Sequence, residues 1–240
     1  KTITSCGYEK VGEPFDAKFH RSLELDGNTL VLCGDAPFMD AETIQHALTM
    51  HEQQGNAVTV ITAELDQPHG YGRILRTETG IAGIVEEKDA TEEQRRIQEV
   101  NSGAYWFRTA DLIALLDTLE PSNAQGEYYL TDTVGAAIAA GKRAGAYKTE
   151  NADVVLGANT RKDLLMLNEV ARQKILDKHM ENGVNFVCTD GILIGRDVEI
   201  GAETTILPGT IIKGKTKIGM KSTIGPNCLI ENCSIGDLVT

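Results

Sequence analysis

An α/β domain on a mainly parallel sheet, followed by one long helix and then a narrow solenoid of short strands, is the fold class this sequence predicts. Three observations predict it. Isoleucine recurs at every sixth position from Ile194 to Ile230, a period that belongs to stacked coils rather than to a meander of alternating strands. Strand and helix patterns alternate between Asn28 and Ala140, the order of an α/β domain. Between these regions, residues 159–183 place Leu164, Leu165, Leu167, Val170, Ile175 and Leu176 on overlapping helical faces, which reads as a connector helix. The expected organisation is a first domain over residues 1–158, a linker helix over 159–183 and a repeat domain over 184–240.

The elements follow in order. Asn28 to Leu32 reads as a buried strand, Ala41 to Gln54 as a helix with Asp40 as N-cap, and Ala57 to Thr62 as a second strand. Ile74 to Glu87 reads as a hairpin turning at Glu78-Thr79-Gly80, Ala104 to Phe107 as a strand, and Ala110 to Leu119 and Thr131 to Ala140 as helices. Asn182-Gly183 ends the long helix. In the repeat, Ile194, Ile200, Ile206, Ile212, Ile218, Ile224 and Ile230 are in register. Four residues after each stands Val198, Thr204, Thr210, Thr216, Ser222, Cys228 or Ser234, residues small enough for a tight corner. The next aliphatic-Gly pair, Ile235-Gly236, arrives one residue early.

Composition narrows the function. The 240 residues carry a formal net charge of −12 with no Lys/Arg cluster, which argues against a nucleic-acid or anionic-membrane surface. The five cysteines, Cys6, Cys33, Cys188, Cys228 and Cys233, form no CxxC pair and the five histidines show no metal or triad spacing, against a disulfide scaffold or a zinc module and in favour of a reducing compartment. No apolar run approaches the roughly 20 residues that span a bilayer, so a cytoplasmic location is expected.

Leu32-Cys33-Gly34-Asp35-Ala36-Pro37 places a carboxylate at a strand end, where a nucleotide enzyme holds Mg²⁺ and where, alone, an Asp is more often a turn former. Four further segments accompany it: Gly70-Tyr71-Gly72-Arg73-Ile74, Ile84-Val85-Glu86-Glu87-Lys88-Asp89-Ala90, Asn101-Ser102-Gly103 and Gln125-Gly126-Glu127-Tyr128-Tyr129-Leu130-Thr131-Asp132. In this order, with the six-residue repeat behind them, they resemble the bacterial N-acetylglucosamine-1-phosphate uridyltransferases, bifunctional enzymes that also acetylate glucosamine-1-phosphate. The resemblance runs from about Leu23 to the last residue.

The resemblance implies a Rossmann-like nucleotidyltransferase domain and a left-handed parallel β-helix of hexapeptide repeats. It implies transfer of a uridylyl group from UTP to N-acetylglucosamine-1-phosphate, giving UDP-N-acetylglucosamine and pyrophosphate for peptidoglycan and lipopolysaccharide precursors, with Mg²⁺ as cofactor. Asp35 and Asn159 match the pair that holds the metal. The backbone of Gly72 and the side chains of Glu86, Asn101, Tyr129 and Thr131 match the ligands of the sugar and its phosphate. Acetylation would use acetyl-CoA, at residues beyond Thr240. A homotrimer packed through the β-helix is also expected, because flat solenoid faces tend to pack side by side.

The chain departs from the family at its front. No Gly-rich loop with an Arg and a Lys cradles a triphosphate, and Lys1 to about Arg21 do not match the uracil-reading stretch, Val11-Gly12-Glu13-Pro14 standing at that distance before Asp35. The sequence therefore reads as truncated at both ends. Two other readings stand beside the first: a sugar nucleotidyltransferase of the ADP-glucose or dTDP-glucose type, and a catalytically silent binding or assembly fragment.

Overall fold

A computed structural model describes residues 26–78, 80–120 and 128–240. The front stretch before Arg21, Thr79 of the expected hairpin turn and Gln125-Gly126-Glu127 of the last motif lie outside the described residues. The chain divides into two units, residues 1–157 and 158–240.

The first unit is a six-stranded sheet between helices. Its elements are β1 (Asn28–Val31), α1 (Ala41–Gln54), β2 (Val58–Glu64), the hairpin β3 (Arg73–Thr77) and β4 (Gly80–Val85), β5 (Glu99–Arg108), α2 (Thr109–Leu116), α3 (Asp132–Ala139) and β6 (Ala144–Lys148). Local chemistry explains the sharpest boundaries. Asp40 accepts from the Thr43 N–H at 2.7 Å to start α1, and Gly55, at φ 63°, ends it in the left-handed conformation that glycine adopts without a steric cost. β2 is buried on both faces. Val58 and Val60 pack with Leu112, Leu115, Val134 and Ala137 of α2 and α3, whereas Ile61 packs with Ala47 of α1.

The sheet is mixed, not mainly parallel. β1 and β2 run the same way, as the intervening helix requires, but they do not pair with each other. β5 lies between them and is antiparallel to both, with Val31 opposite Tyr105 on one side and Val60 opposite Tyr105 on the other. β3 also pairs antiparallel with β5 and with β4. The parallel pairing among the described strands of this sheet is β2 with β6. A strand-helix-strand pattern fixes relative direction but says nothing of a later strand that inserts between the two.

The second unit begins with α4 (Arg161–Glu181), opened by a capping box in which Thr160 and Asp163 satisfy each other's backbone N–H. Nine short strands follow: β7 (Asn185–Phe186), β8 (Leu193–Ile194), β9 (Glu199–Ile200), β10 (Thr205–Ile206), β11 (Ile211–Lys213), β12 (Lys217–Ile218), β13 (Thr223–Ile224), β14 (Leu229–Glu231) and β15 (Ser234–Ile235). They form three parallel ladders, β7-β10-β13, β8-β11-β14 and β9-β12-β15, so the chain visits each ladder once per coil. Ile194, Ile212 and Ile230 stack in one ladder, and Ile206 and Ile224 in another. Ile206 and Ile212 are fully buried, as are Thr204, Thr210 and Thr216 at the corners. The early Ile235 pairs with Ile218 all the same, because the corner between β14 and β15 is one residue shorter. The outward side of the β8-β11-β14 ladder stacks Leu193, Ile211 and Leu229, the first and last of them exposed.

Candidate active site

The sequence motifs of the first unit gather where β3, β4 and β5 meet. β5 breaks register against β2: Val60 faces Tyr105 and Thr62 faces Asn101, so Ser102, Gly103 and Ala104 stand opposite Ile61 alone. The Ser102 hydroxyl donates to the Ile61 carbonyl at 2.7 Å and fills the bulge, and Gly103 takes φ 74° within it. Bulges re-aim side chains beside functional sites. Here the result is that the Asn101 N–H donates to the Gly72 carbonyl at 2.9 Å, while its side-chain oxygen accepts from the Gly103 N–H at 2.9 Å.

Gly72 leaves room for Glu86. A Cβ at residue 72 would stand 3.3 Å from each Glu86 carboxylate oxygen and 3.1 Å from Ile84 Cγ2. Burial pushes the Glu86 carboxyl above the usual carboxylate range; the Thr131 hydroxyl opposes this, and the charges of Asp132 and Asp89 add to it. Thr131 is 7% exposed, and its oxygen lies near Glu86 without a well-formed hydrogen bond. A buried hydroxyl without a full partner costs free energy unless a ligand supplies one. Burial and Asp89 likewise raise the Asp132 carboxyl. The Tyr129 carbonyl accepts from the Asp132 N–H at 3.1 Å, which ties Tyr129 to the first turn of α3.

Three neighbours complete the group: Tyr105, outside the sequence motifs, and Cys33 and Arg73, which stand in them without an expected role. The Tyr105 phenol is raised well above its ordinary value by burial, and it bonds to the Asn101 side chain with Glu86 and Cys33 nearby. Cys33 packs over the bare face of Gly103, where a Cβ would come within 2.7 Å of Sγ. The Arg73 guanidinium is 1% exposed and pairs with Glu87 at 2.7 Å.

Asp35 is exposed on the loop after β1, and its charge adds to the burial that holds the Cys33 thiol above its usual range. Gly157 runs beside it: a Cβ there would lie 3.4 Å from the Asp35 carbonyl oxygen and 3.9 Å from a carboxylate oxygen. Asn159 lies two residues further along the chain, in the second unit, where its N–H donates to Asp163 at 3.1 Å. No group of three His, Cys, Asp or Glu forms a metal shell among the described residues. An exposed carboxylate with no protein partner among the described residues still suits Mg²⁺, which is commonly held by one or two protein oxygens together with substrate phosphates.

The model of the nucleotidyl transferase family matches residues 17–160, more than half of the chain. The chain belongs to the nucleotidyl transferase family. Among relatives of this nucleotidyl transferase is the Bifunctional protein GlmU of Acetivibrio thermocellus, 46% identical over 184 residues, which are 76% of this chain and 40% of the relative. The Bifunctional protein GlmU of Syntrophotalea carbinolica is 43% identical over 216 residues, 90% of this chain and 47% of the relative. The chain thus spans less than half the length of these relatives. The solved structure of a protein assigned as a glucose-1-phosphate thymidylyltransferase from Bacillus anthracis, in complex with sucrose, superposes with a TM-score of 0.51 at 21% identity, covering 68% of this chain and 63% of that one. That likeness is one of fold. No helix among the described residues is long and apolar enough to cross a membrane.

Proposed function

We propose that this chain carries the uridylyl-transfer half of a bifunctional enzyme, joining UTP and N-acetylglucosamine-1-phosphate to give UDP-N-acetylglucosamine and pyrophosphate. The observation that carries the reading is the convergence of Gly72, Glu86, Asn101 and Thr131, with a carboxyl raised by burial and a buried hydroxyl lacking a full partner. Such a group suits the hydroxyl- and amide-bearing ring of a sugar-phosphate. Glu86 accepts from sugar hydroxyls, the Asn101 amide pairs with them, and Thr131 and Tyr129 are the remaining ligands of the sugar and its phosphate. A sugar lacking one of these groups leaves a buried polar partner unpaired, which is how such a site discriminates.

In the reaction, a phosphate oxygen of the sugar-1-phosphate forms a bond to the α-phosphorus of UTP. The bond from that phosphorus to the bridging β-phosphate oxygen breaks, and pyrophosphate leaves. The attacking oxygen is already anionic, so no side chain needs to remove a proton, and Asp132, Tyr105 and the histidines have no such task. Positioning by the sugar ligands is this chain's main contribution. Asp35 and Asn159 are the proposed holders of Mg²⁺, which when bound neutralises charge on the phosphates.

The same reading gives the coil of the second unit a left hand and assigns the whole protein acetyl transfer from acetyl-CoA to glucosamine-1-phosphate. It also gives a homotrimer, for which the Leu193, Ile211 and Leu229 ladder supplies an apolar face. Sedimentation of the full-length protein as a monomer at micromolar concentration would contradict that assembly. The direct test of the site is Asp35→Asn in the full-length protein. Loss of Mg²⁺-dependent pyrophosphate release with an unchanged melting temperature is expected, and retained activity removes Asp35 from the metal site.

A further inference from the structure

An ion pair in the first unit lies one residue away from the proposed sugar ligands, between the first residue of β3 and the segment that follows β4. Arg73 follows Gly72 and Glu87 follows Glu86. The Arg73 guanidinium is buried and pairs with the Glu87 carboxylate at 2.7 Å. Its other arm donates to the Tyr71 carbonyl, and it reaches the Arg95 carbonyl at 3.4 Å. Glu87 in turn accepts from the Gly70 N–H at 3.1 Å, with His69 at 3.4 Å from its other oxygen. One ion pair therefore fixes the backbone on both sides of Gly72 and fastens it to the residue after Glu86. The main-chain bond from Asn101 to Gly72 joins the third ligand to the same frame.

We infer that Arg73 and Glu87 are positioning residues for the sugar-phosphate, holding the Gly72 backbone and the Glu86 carboxylate at a fixed separation without touching substrate themselves. Building the pair costs free energy, because the Arg73 charge leaves water and the half-buried Glu87 carboxylate loses part of its hydration. The fork geometry of Arg is what lets one side chain serve Glu87 and the Tyr71 carbonyl together, and a lysine cannot reproduce it. Burial works against ionisation of Glu87, yet the Arg73 and Gly70 hydrogen bonds hold its carboxyl below the usual range, so Glu87 stays ionised at neutral pH. Displacements of about 1 Å among groups that orient a substrate cost up to roughly 100-fold in rate. The inference rests on the reading of Gly72 and Glu86 as sugar ligands.

The test is steady-state kinetics of the full-length protein, separating the KM for N-acetylglucosamine-1-phosphate from that for UTP, with melting temperatures alongside. Arg73→Lys and Glu87→Ala are expected to raise the sugar-phosphate KM by roughly 10-fold or more and to leave the UTP KM unchanged. Glu87→Gln, which keeps an acceptor for both Arg73 and the Gly70 N–H, is expected to restore most of the loss. If removing one partner prevents folding, the double variant Arg73→Met with Glu87→Met leaves no charge buried alone and is expected to show the same split. Equal changes in both KM values, or no change in either, overturn the clamp. Glu86→Gln separates the two levels: an unchanged sugar-phosphate KM there overturns the sugar-site reading itself. A raised KM with unaffected Arg73→Lys and Glu87→Ala overturns the positioning role alone.

Discussion

Replacing Gly72 by alanine adds one methyl group at the centre of the proposed sugar site. The new Cβ would stand 3.1 Å from Ile84 Cγ2 and 3.3 Å from both Glu86 oxygens, closer than these atoms ordinarily approach, so the carboxylate must retreat by a few tenths of an ångström. The backbone at residue 72 is not left-handed, so alanine fits its conformation and gains about 0.4–1 kcal/mol by restricting the unfolded chain. That gain offsets crowding of similar size, and the net stability change should stay within about 1 kcal/mol, a shift of roughly 2–4 °C in Tm for a chain of this length. Catalysis should suffer more. If 1 Å of misplacement costs up to about 100-fold, a displacement near half of that costs about 10-fold in kcat/KM for the sugar-phosphate. The assay is pyrophosphate release at varied sugar-phosphate, paired with thermal melting. An unchanged kcat/KM for the sugar-phosphate in a folded Gly72→Ala protein would refute the placement of Gly72 and Glu86 at the substrate.

Two further outcomes test the fold. Ile212 is fully buried in the middle coil, and Ile212→Ala should cost about 2–5 kcal/mol, measured as a fall in denaturant midpoint; a loss below about 1 kcal/mol would contradict a tightly packed ladder. His51 is buried, bonds to the Thr59 hydroxyl at 2.9 Å and has its pKa lowered to about 4 by burial and Arg108, against a smaller opposing effect of Asp111. The unfolded chain therefore binds a proton between about pH 6.5 and 4 that the folded chain refuses, and stability falls as pH drops through this window by up to roughly 3 kcal/mol. His51→Gln should flatten that part of the stability-versus-pH curve, and an identical curve would show that His51 is not the group responsible.

What the sequence disclosed and what it concealed divide along the range of the interactions involved. α1 is legible as Ala41–Gln54, and Asp40 is a local signal for its start. The solenoid was legible because its core contacts repeat, so Ile194, Ile212 and Ile230 announce their own register. The sheet order was not, since it depends on β5 pairing with strands far away in sequence. β5 showed only Ala104 to Phe107 as a strand pattern, because the bulge at residues 102–104 interrupts alternation. β6 carries no strand pattern for a different reason: Ala144, Gly145 and Ala146 have little strand propensity, and only the pairing with β2 makes them a strand. At the site, Gly72, Glu86, Asn101 and Thr131 were found through the resemblance, and the structure gathers them. Arg73 and Glu87 were within the quoted motifs but gave no sign of burial, since a charged pair reads the same in a solvated hairpin.

Every role proposed for these residues depends on the identity of the transferred group and of its acceptor. The most direct measurement is pyrophosphate release by the full-length protein with Mg²⁺, crossing UTP, ATP and dTTP with N-acetylglucosamine-1-phosphate and glucose-1-phosphate. The account predicts release with UTP and N-acetylglucosamine-1-phosphate well above every other pair, and its collapse in Asp35→Asn. Preference for ATP or dTTP with glucose-1-phosphate, or no release from any pair, would contradict it.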